Sequence, residues 1–78
     1  MKRGDFVRVT FGVDSIQAMV MLASENGNSL MLGFDGALHS PSGGMFVGSL
    51  PVLRGDDGVY RDLVEGVEVQ IESIRRES

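Results

Sequence analysis

The sequence predicts an all-β domain of about five or six short antiparallel strands in a meander, curled into a small barrel. Three observations carry this. Apolar and polar residues alternate with period two in DFVRVTF (5–11) and VEVQIES (67–73). Asn26-Gly27 sits between two apolar runs, a strong hairpin signal. Eleven glycines in 78 residues supply many turns, and no linker, repeat or low-complexity run divides them. One domain is expected over 1–78, with the charged tail 75–78 frayed. A chain this short buries only roughly 60% of its unfolded surface, so its margin of stability is small.

The first strand is 5–11, with Val7, Val9 and Phe11 on one face, Arg8 and Thr10 on the other, and Phe6 the exception. Gly12-Val13-Asp14 turns the chain into the hairpin 15–36. A two-residue loop there pairs Leu22 with Met31 and Met21 with Leu32, and splits the best apolar residues between two faces. A three-residue loop ending on Gly27 pairs Leu22 with Leu30, Val20 with Leu32 and Ala18 with Phe34. It leaves one face as Ile16, Ala18, Val20, Leu22, Leu30, Leu32 and Phe34, and the pattern favours it. The opposite face carries Met19, Met21 and Met31, flanked by Ala23 and Gly33. A helix over 15–24 competes for the first arm: Asp14 and Gln17 imitate a capping box, and Ile16, Met19, Val20 and Ala23 have helical spacing. The strand explains both flanks of the turn and the helix only one.

GALHSPSGG (36–44) reads as the one long irregular loop. MFVGSLPVLR (45–54) reads as one bent strand or two short ones, interrupted by Gly48 and Pro51. Gly55-Asp56-Asp57-Gly58 is a turn, and VYRDL (59–63) a short strand. A three-residue loop at Val64-Glu65-Gly66 pairs Leu63 with Val67, Arg61 with Val69 and Val59 with Ile71. An SH3-like barrel accommodates this order, with an OB-like barrel as the alternative.

LASENGNSLMLGFDG (22–36), MFVGSLPVLR (45–54) and DGVYRDLVEG (57–66) resemble a group of small uncharacterised bacterial proteins with an SH3-like barrel. The resemblance lies in turn and strand patterns and implies a fold, with no activity and no functional residue. The opening GDFVRV also resembles the start of a KOW-type barrel, but Thr10 to Asp14 lack that motif's basic, glycine-spaced continuation.

No residue pattern names an activity. With no cysteine, disulfides, thiolate zinc sites and cysteine catalysis are excluded. Seven basic against eleven acidic residues, net −4, argue against nucleic acid and anionic membrane as partners. Lys2, Arg3 and Arg8 form the one local basic candidate, with Phe6 or Phe11 available to stack on bases. No apolar run is long enough for a signal peptide or spanning helix, so the cytoplasm is the expected location. His39, the single histidine, needs an orienting carboxylate and a nucleophile to act as a base. In a loop beside Ser40 and Ser42 its simpler reading is a solvated side chain. Gly55 to Gly58 lacks calcium-loop spacing, and no phosphate-cradling or dinucleotide glycine pattern is present, so no metal, cofactor or small-molecule substrate is expected.

What remains is the methionine face. Methionine suits adaptable contact surfaces, and contiguous exposed apolar patches mark interfaces. Met19, Met21 and Met31 are therefore either an interface or a surface covered by 36–44, the first strand or the tail. The expected function is a small non-enzymatic interaction module that binds a protein partner or itself. The alternative is a nucleic-acid-binding barrel, by fold analogy alone.

Overall fold

A computed structural model describes residues 1–74. The tail expected to fray, 75–78, lies outside them. Six antiparallel strands follow one another in a closed meander barrel: β1 (Phe6–Phe11), β2 (Asp14–Ala23), β3 (Ser29–His39), β4 (Met45–Arg54), β5 (Tyr60–Asp62) and β6 (Glu68–Ser73). β6 closes against β1, with Val9 opposite Ile71. The fold is thus an all-β six-stranded barrel of the small SH3-like or OB-like kind. Residues 15–23 are strand and not helix, because pairing on both sides, with β1 and β3, outweighs a local helical preference.

The core draws on all strands but the shortest: Val7, Val9 and Phe11 from β1, Ala18 and Val20 from β2, Leu30, Leu32 and Leu38 from β3, Leu50 and Val52 from β4, and Val69 from β6. Phe46 tilts against Phe11, ring centres 5.9 Å apart. β1 and β2 join through Gly12-Val13, with Phe11 opposite Asp14. Gly12 has φ +63 and Val13 does not enter the left-handed region, the arrangement of a two-residue turn with glycine first.

The β2–β3 hairpin combines both candidate registers. Val20 pairs with Leu32, as the three-residue loop requires. Nearer the turn Leu22 pairs with Met31 and Ala23 with Leu30, and the extra residue is absorbed as a bulge between Val20 and Leu22. The expected Leu22–Leu30 pair is therefore not made, whereas the body of the hairpin keeps the expected register as far as Met19–Gly33, one step short of the expected Ala18–Phe34 pair. Ala23 turns toward the core in place of Leu22, which is 60% exposed. Backbone and side-chain bonds together hold the wider turn. Ser24 N–H bonds Ser29 O at 2.9 Å, Asn26 Oδ1 accepts from Asn28 N–H at 3.0 Å, and Gly27 lies in the left-handed region at φ +73.

Two other expectations, the loop 36–44 and the β5–β6 register, are corrected, and of the two readings of 45–54 the single strand is the one found. β3 runs through His39, so the loop read as 36–44 shrinks to a turn after His39. Its first part is strand with a register shift between Gly33 and Ala37, opposite Gly48. β4 is a single strand. Pro51 O accepts from Leu63 N–H at 3.2 Å, so the proline backbone faces the β5 side and its missing donor takes nothing from the β3 ladder. The β5–β6 register also differs by one residue: Tyr60 pairs with Val69 and Arg61 with Glu68. The cause is Asp62, 2% exposed. Its Oδ1 accepts from Val64 and Glu65 N–H at 2.9 and 2.6 Å, and its Oδ2 from Val67 N–H at 2.9 Å. One carboxylate satisfies three loop donors, and Val67 is held opposite Asp62 and not Leu63.

Candidate functional site: the outer face of β2, β3 and β4

Paired residues of an antiparallel ladder share a face. One outward row therefore runs Phe6–Met19–Gly33–Ser49 across β1 to β4, and a second runs Leu22–Met31–Pro51 across β2 to β4. Met21, displaced by the bulge, fills the gap between them. Its Cγ lies 2.7 Å from where a Cβ on Gly33 would stand, so its side chain rests on the bare backbone of β3. Leu63, held by its N–H to Pro51 O, extends the second row at its far end. Leu22, Met31, Pro51 and Leu63 line an open groove of about 330 Å³.

The three methionines expected on this face are brought together. Met21 is 44% exposed, whereas Met19 and Met31 are half-buried. Sequence reasoning missed Leu22, Pro51 and Leu63. Leu22 was assigned to the core by the uninterrupted three-residue register, and the Pro51–Leu63 contact joins segments whose adjacency no local pattern signals. Loop 36–44 is one candidate cover for the methionines, yet its first four residues are β3 itself.

At one end of the barrel lies a second cluster. His39 ends β3 and is not a loop residue. Its Nδ1–H donates to Asp14 Oδ2 at 2.8 Å, and its backbone N–H donates to the same oxygen at 3.0 Å. These bonds, the backbone one foremost, hold the Asp14 carboxyl below its ordinary range. The orienting carboxylate that a histidine base needs is thus present, 25 residues away in sequence. The neighbouring hydroxyls are committed elsewhere. Ser42 Oγ donates to Glu65 Oε2 at 2.6 Å and lies 2.8 Å from Ser40 Oγ. Ser40 is buried while His39 is exposed, so the two adjacent side chains point to opposite sides.

The basic candidate disperses. Arg8 stands between Gln17 on β2 and Glu72 on β6, and Phe11 is fully buried and cannot stack on a base. The Lys2 backbone N–H donates to Asp5 at 3.0 Å. Asp57 and Arg61 form an ion pair at 2.9 Å, which with the Val59 N–H brings the Asp57 carboxyl down to about 2. Among the described residues no three or more of His, Asp and Glu are grouped to hold a metal ion, and no helix is long and apolar enough to cross a membrane. No protein-family model, no curated protein and no solved structure matches the chain.

Proposed function

We propose that this chain is a small non-enzymatic interaction module acting through the outer face of β2, β3 and β4, and that it binds a protein partner or itself. The observation that carries the reading is the Leu22–Met31–Pro51 row, continued by Leu63 and flanked by Met21 on Gly33. An apolar groove with the flexible Met31 in its wall can adjust to a partner's side chains, and burying it is favourable at about 25 cal/mol per Å². Cytoplasmic location belongs to the same reading, and the lack of cysteine is compatible with it. So does kinship with the small bacterial barrels that the strand pattern resembles. Against a nucleic-acid role stand the net charge of −4 and the placement of Arg8 opposite Glu72. Against catalysis at His39 stands the commitment of Ser42 to Glu65.

The test compares the native chain with Leu22→Glu and Leu63→Glu, two exposed positions that tolerate charge without touching the core. Proteins retained by the native chain, and any self-association, are expected to disappear in both variants. Short RNA at low salt is expected to leave the amide spectrum unchanged. Binding that survives both substitutions, or salt-sensitive RNA binding centred on Arg8, would remove the basis of the reading.

A further inference from the structure

The asparagine that marks the β2–β3 hairpin is also placed for a reaction. Asn26 is exposed, and its successor Gly27 has no side chain to screen its backbone nitrogen. The nearest atom to a Cβ built on Gly27 is Met1 O at 3.8 Å, so that side of the turn is open. Asn26 uses only its oxygen: Oδ1 accepts from Ser24 Oγ–H at 2.7 Å and from Asn28 N–H at 3.0 Å. Its Nδ2 makes no hydrogen bond among the described residues. Asn28, the other asparagine of the chain, differs in each respect. It is half-buried, and its Oδ1 accepts from Arg54 Nε–H at 2.9 Å. Ser29 follows it with a side chain, and donates its N–H to Ser24 Oγ at 3.1 Å.

We infer that Asn26 is a site of spontaneous covalent modification, in which the Gly27 nitrogen and then water convert the side-chain amide to a carboxylate. The two reacting groups are covalent neighbours, which gives them the high effective concentration of an intramolecular ring closure. Gly27 N bonds to Asn26 Cγ as the Cγ–Nδ2 bond breaks, and the Gly27 N–H proton leaves with Nδ2 as ammonia. Water then adds across one of the two C–N bonds of the five-membered imide. Cleavage at Cγ gives aspartate at position 26. Cleavage at the main-chain carbonyl of residue 26 gives isoaspartate, with the main chain rerouted through Cγ. Either way one amide and one water become one carboxylic acid and one ammonia, and the chain gains a negative charge over its −4.

The closed turn slows the first step. Gly27 N–H is donated to Ser24 O at 3.0 Å, and Ser24 Oγ–H ties Asn26 Oδ1, so the nitrogen is released for attack only when the turn opens. Exposed loop tips open at little cost. Aspartate fits the closed turn, because a carboxylate accepts the same Ser24 and Asn28 bonds and accepts them more strongly. Isoaspartate does not, since the added main-chain atom displaces Gly27 N–H from Ser24 O. Ser24 and Ser29 line the groove beside Leu22 and Met31, so the new charge arises at its rim.

Ageing of the full chain at neutral and at mildly alkaline pH, read by fragment-ion mass spectrometry, tests the inference. A gain of about 1 Da, the replacement of NH2 by OH, is expected at Asn26 and not at Asn28. It should be faster at the higher pH, because the attacking nitrogen gives up a proton. The native rate should lie about tenfold below that of the chain unfolded in urea. Ser24→Ala removes the tie on Asn26 and the acceptor for Ser29 N–H, and should raise the native rate about fivefold. Asn26→Asp should keep the native Ser24 and Ser29 amide resonances, whereas the isoaspartate fraction of the aged chain should shift them. An Asn26 still unmodified after about ten half-lives of the unfolded chain, equal conversion of Asn28, or a rate indifferent to Ser24→Ala overturns the inference. None of these readouts involves a partner, so the interaction-module reading stands or falls separately.

Discussion

Met21 lies on Gly33: a Cβ at Gly33 would stand 2.7 Å from Met21 Cγ and 3.0 Å from its Sδ. The bulge between Val20 and Leu22 moves Met21 over the neighbouring strand, and only a residue without a side chain leaves room for it there. Gly33→Ala is therefore expected to push the thioether outward. Because the colliding atoms belong to a flexible side chain, the cost in stability should stay below about 1 kcal/mol. The Met21 methyl resonance should move while those of the core leucines do not. An unchanged Met21 methyl would mean that the contact is not made in solution.

Asp62 is the polar group on which the β5–β6 connection depends. Asp62→Asn keeps the acceptor for Val64 and Glu65 but turns an N–H toward the N–H of Val67. A loss of about 2 kcal/mol is expected, and about 3 to 5 kcal/mol for Asp62→Ala, which orphans all three donors. For a chain of this size the Asn variant should melt about 10 °C lower. Urea unfolding checks the order native, Asn, Ala. A change within about 0.5 kcal/mol would place Asp62 among ordinary surface residues.

Gly12 combines a left-handed backbone with a close neighbour. A Cβ there would stand 2.8 Å from Pro41 Cγ, and φ is +63. Gly12→Ala is expected to cost about 1 to 2 kcal/mol for the backbone and a further 1 kcal/mol or so for the collision with the proline. Only the second part should be relieved by Pro41→Ala. A double-mutant cycle would read that coupling. Fully additive effects would show that the two turns do not touch.

Two carboxylates are held ionised below their ordinary range, Asp14 by His39 and Asp57 by Arg61 and the Val59 N–H. Each folded pKa lies below the unfolded one, so each contribution is complete above the unfolded value of 3.8. For Asp57 it is lost as pH falls from there through about 2. Stability should therefore drop on acidification below about pH 4 by less in Asp57→Asn than in the native chain. Carbon-detected carboxyl titration should place Asp57 near 2 and Asp14 below 3.8. An Asp57 midpoint at its ordinary value would remove the ion pair from the account.

Much of the architecture was legible locally. Alternation in 5–11 and 67–73 marked β1 and β6, and Asn26-Gly27 marked the hairpin with Gly27 in the left-handed region. The methionine face followed from that hairpin. What failed did so at points where residues distant in sequence decide. Leu22 changed side because a bulge, invisible in an alternating pattern, lets the turn and the body of one hairpin adopt different registers. His39 acquired Asp14 because β3 extends past the Gly33–Ala37 shift to reach the β1–β2 turn.

By itself the sequence determined the all-β class, the meander order and most of the core, because a period-two pattern settles which residues of a strand share a face and glycine turns settle where it reverses. Only the tertiary structure decided the registers of the β2–β3 and β5–β6 hairpins, the partners of Asp62 and His39, and the groove between Leu22 and Leu63. Those depend on which backbone donors find acceptors once the barrel closes, and closure is a property of all six strands together.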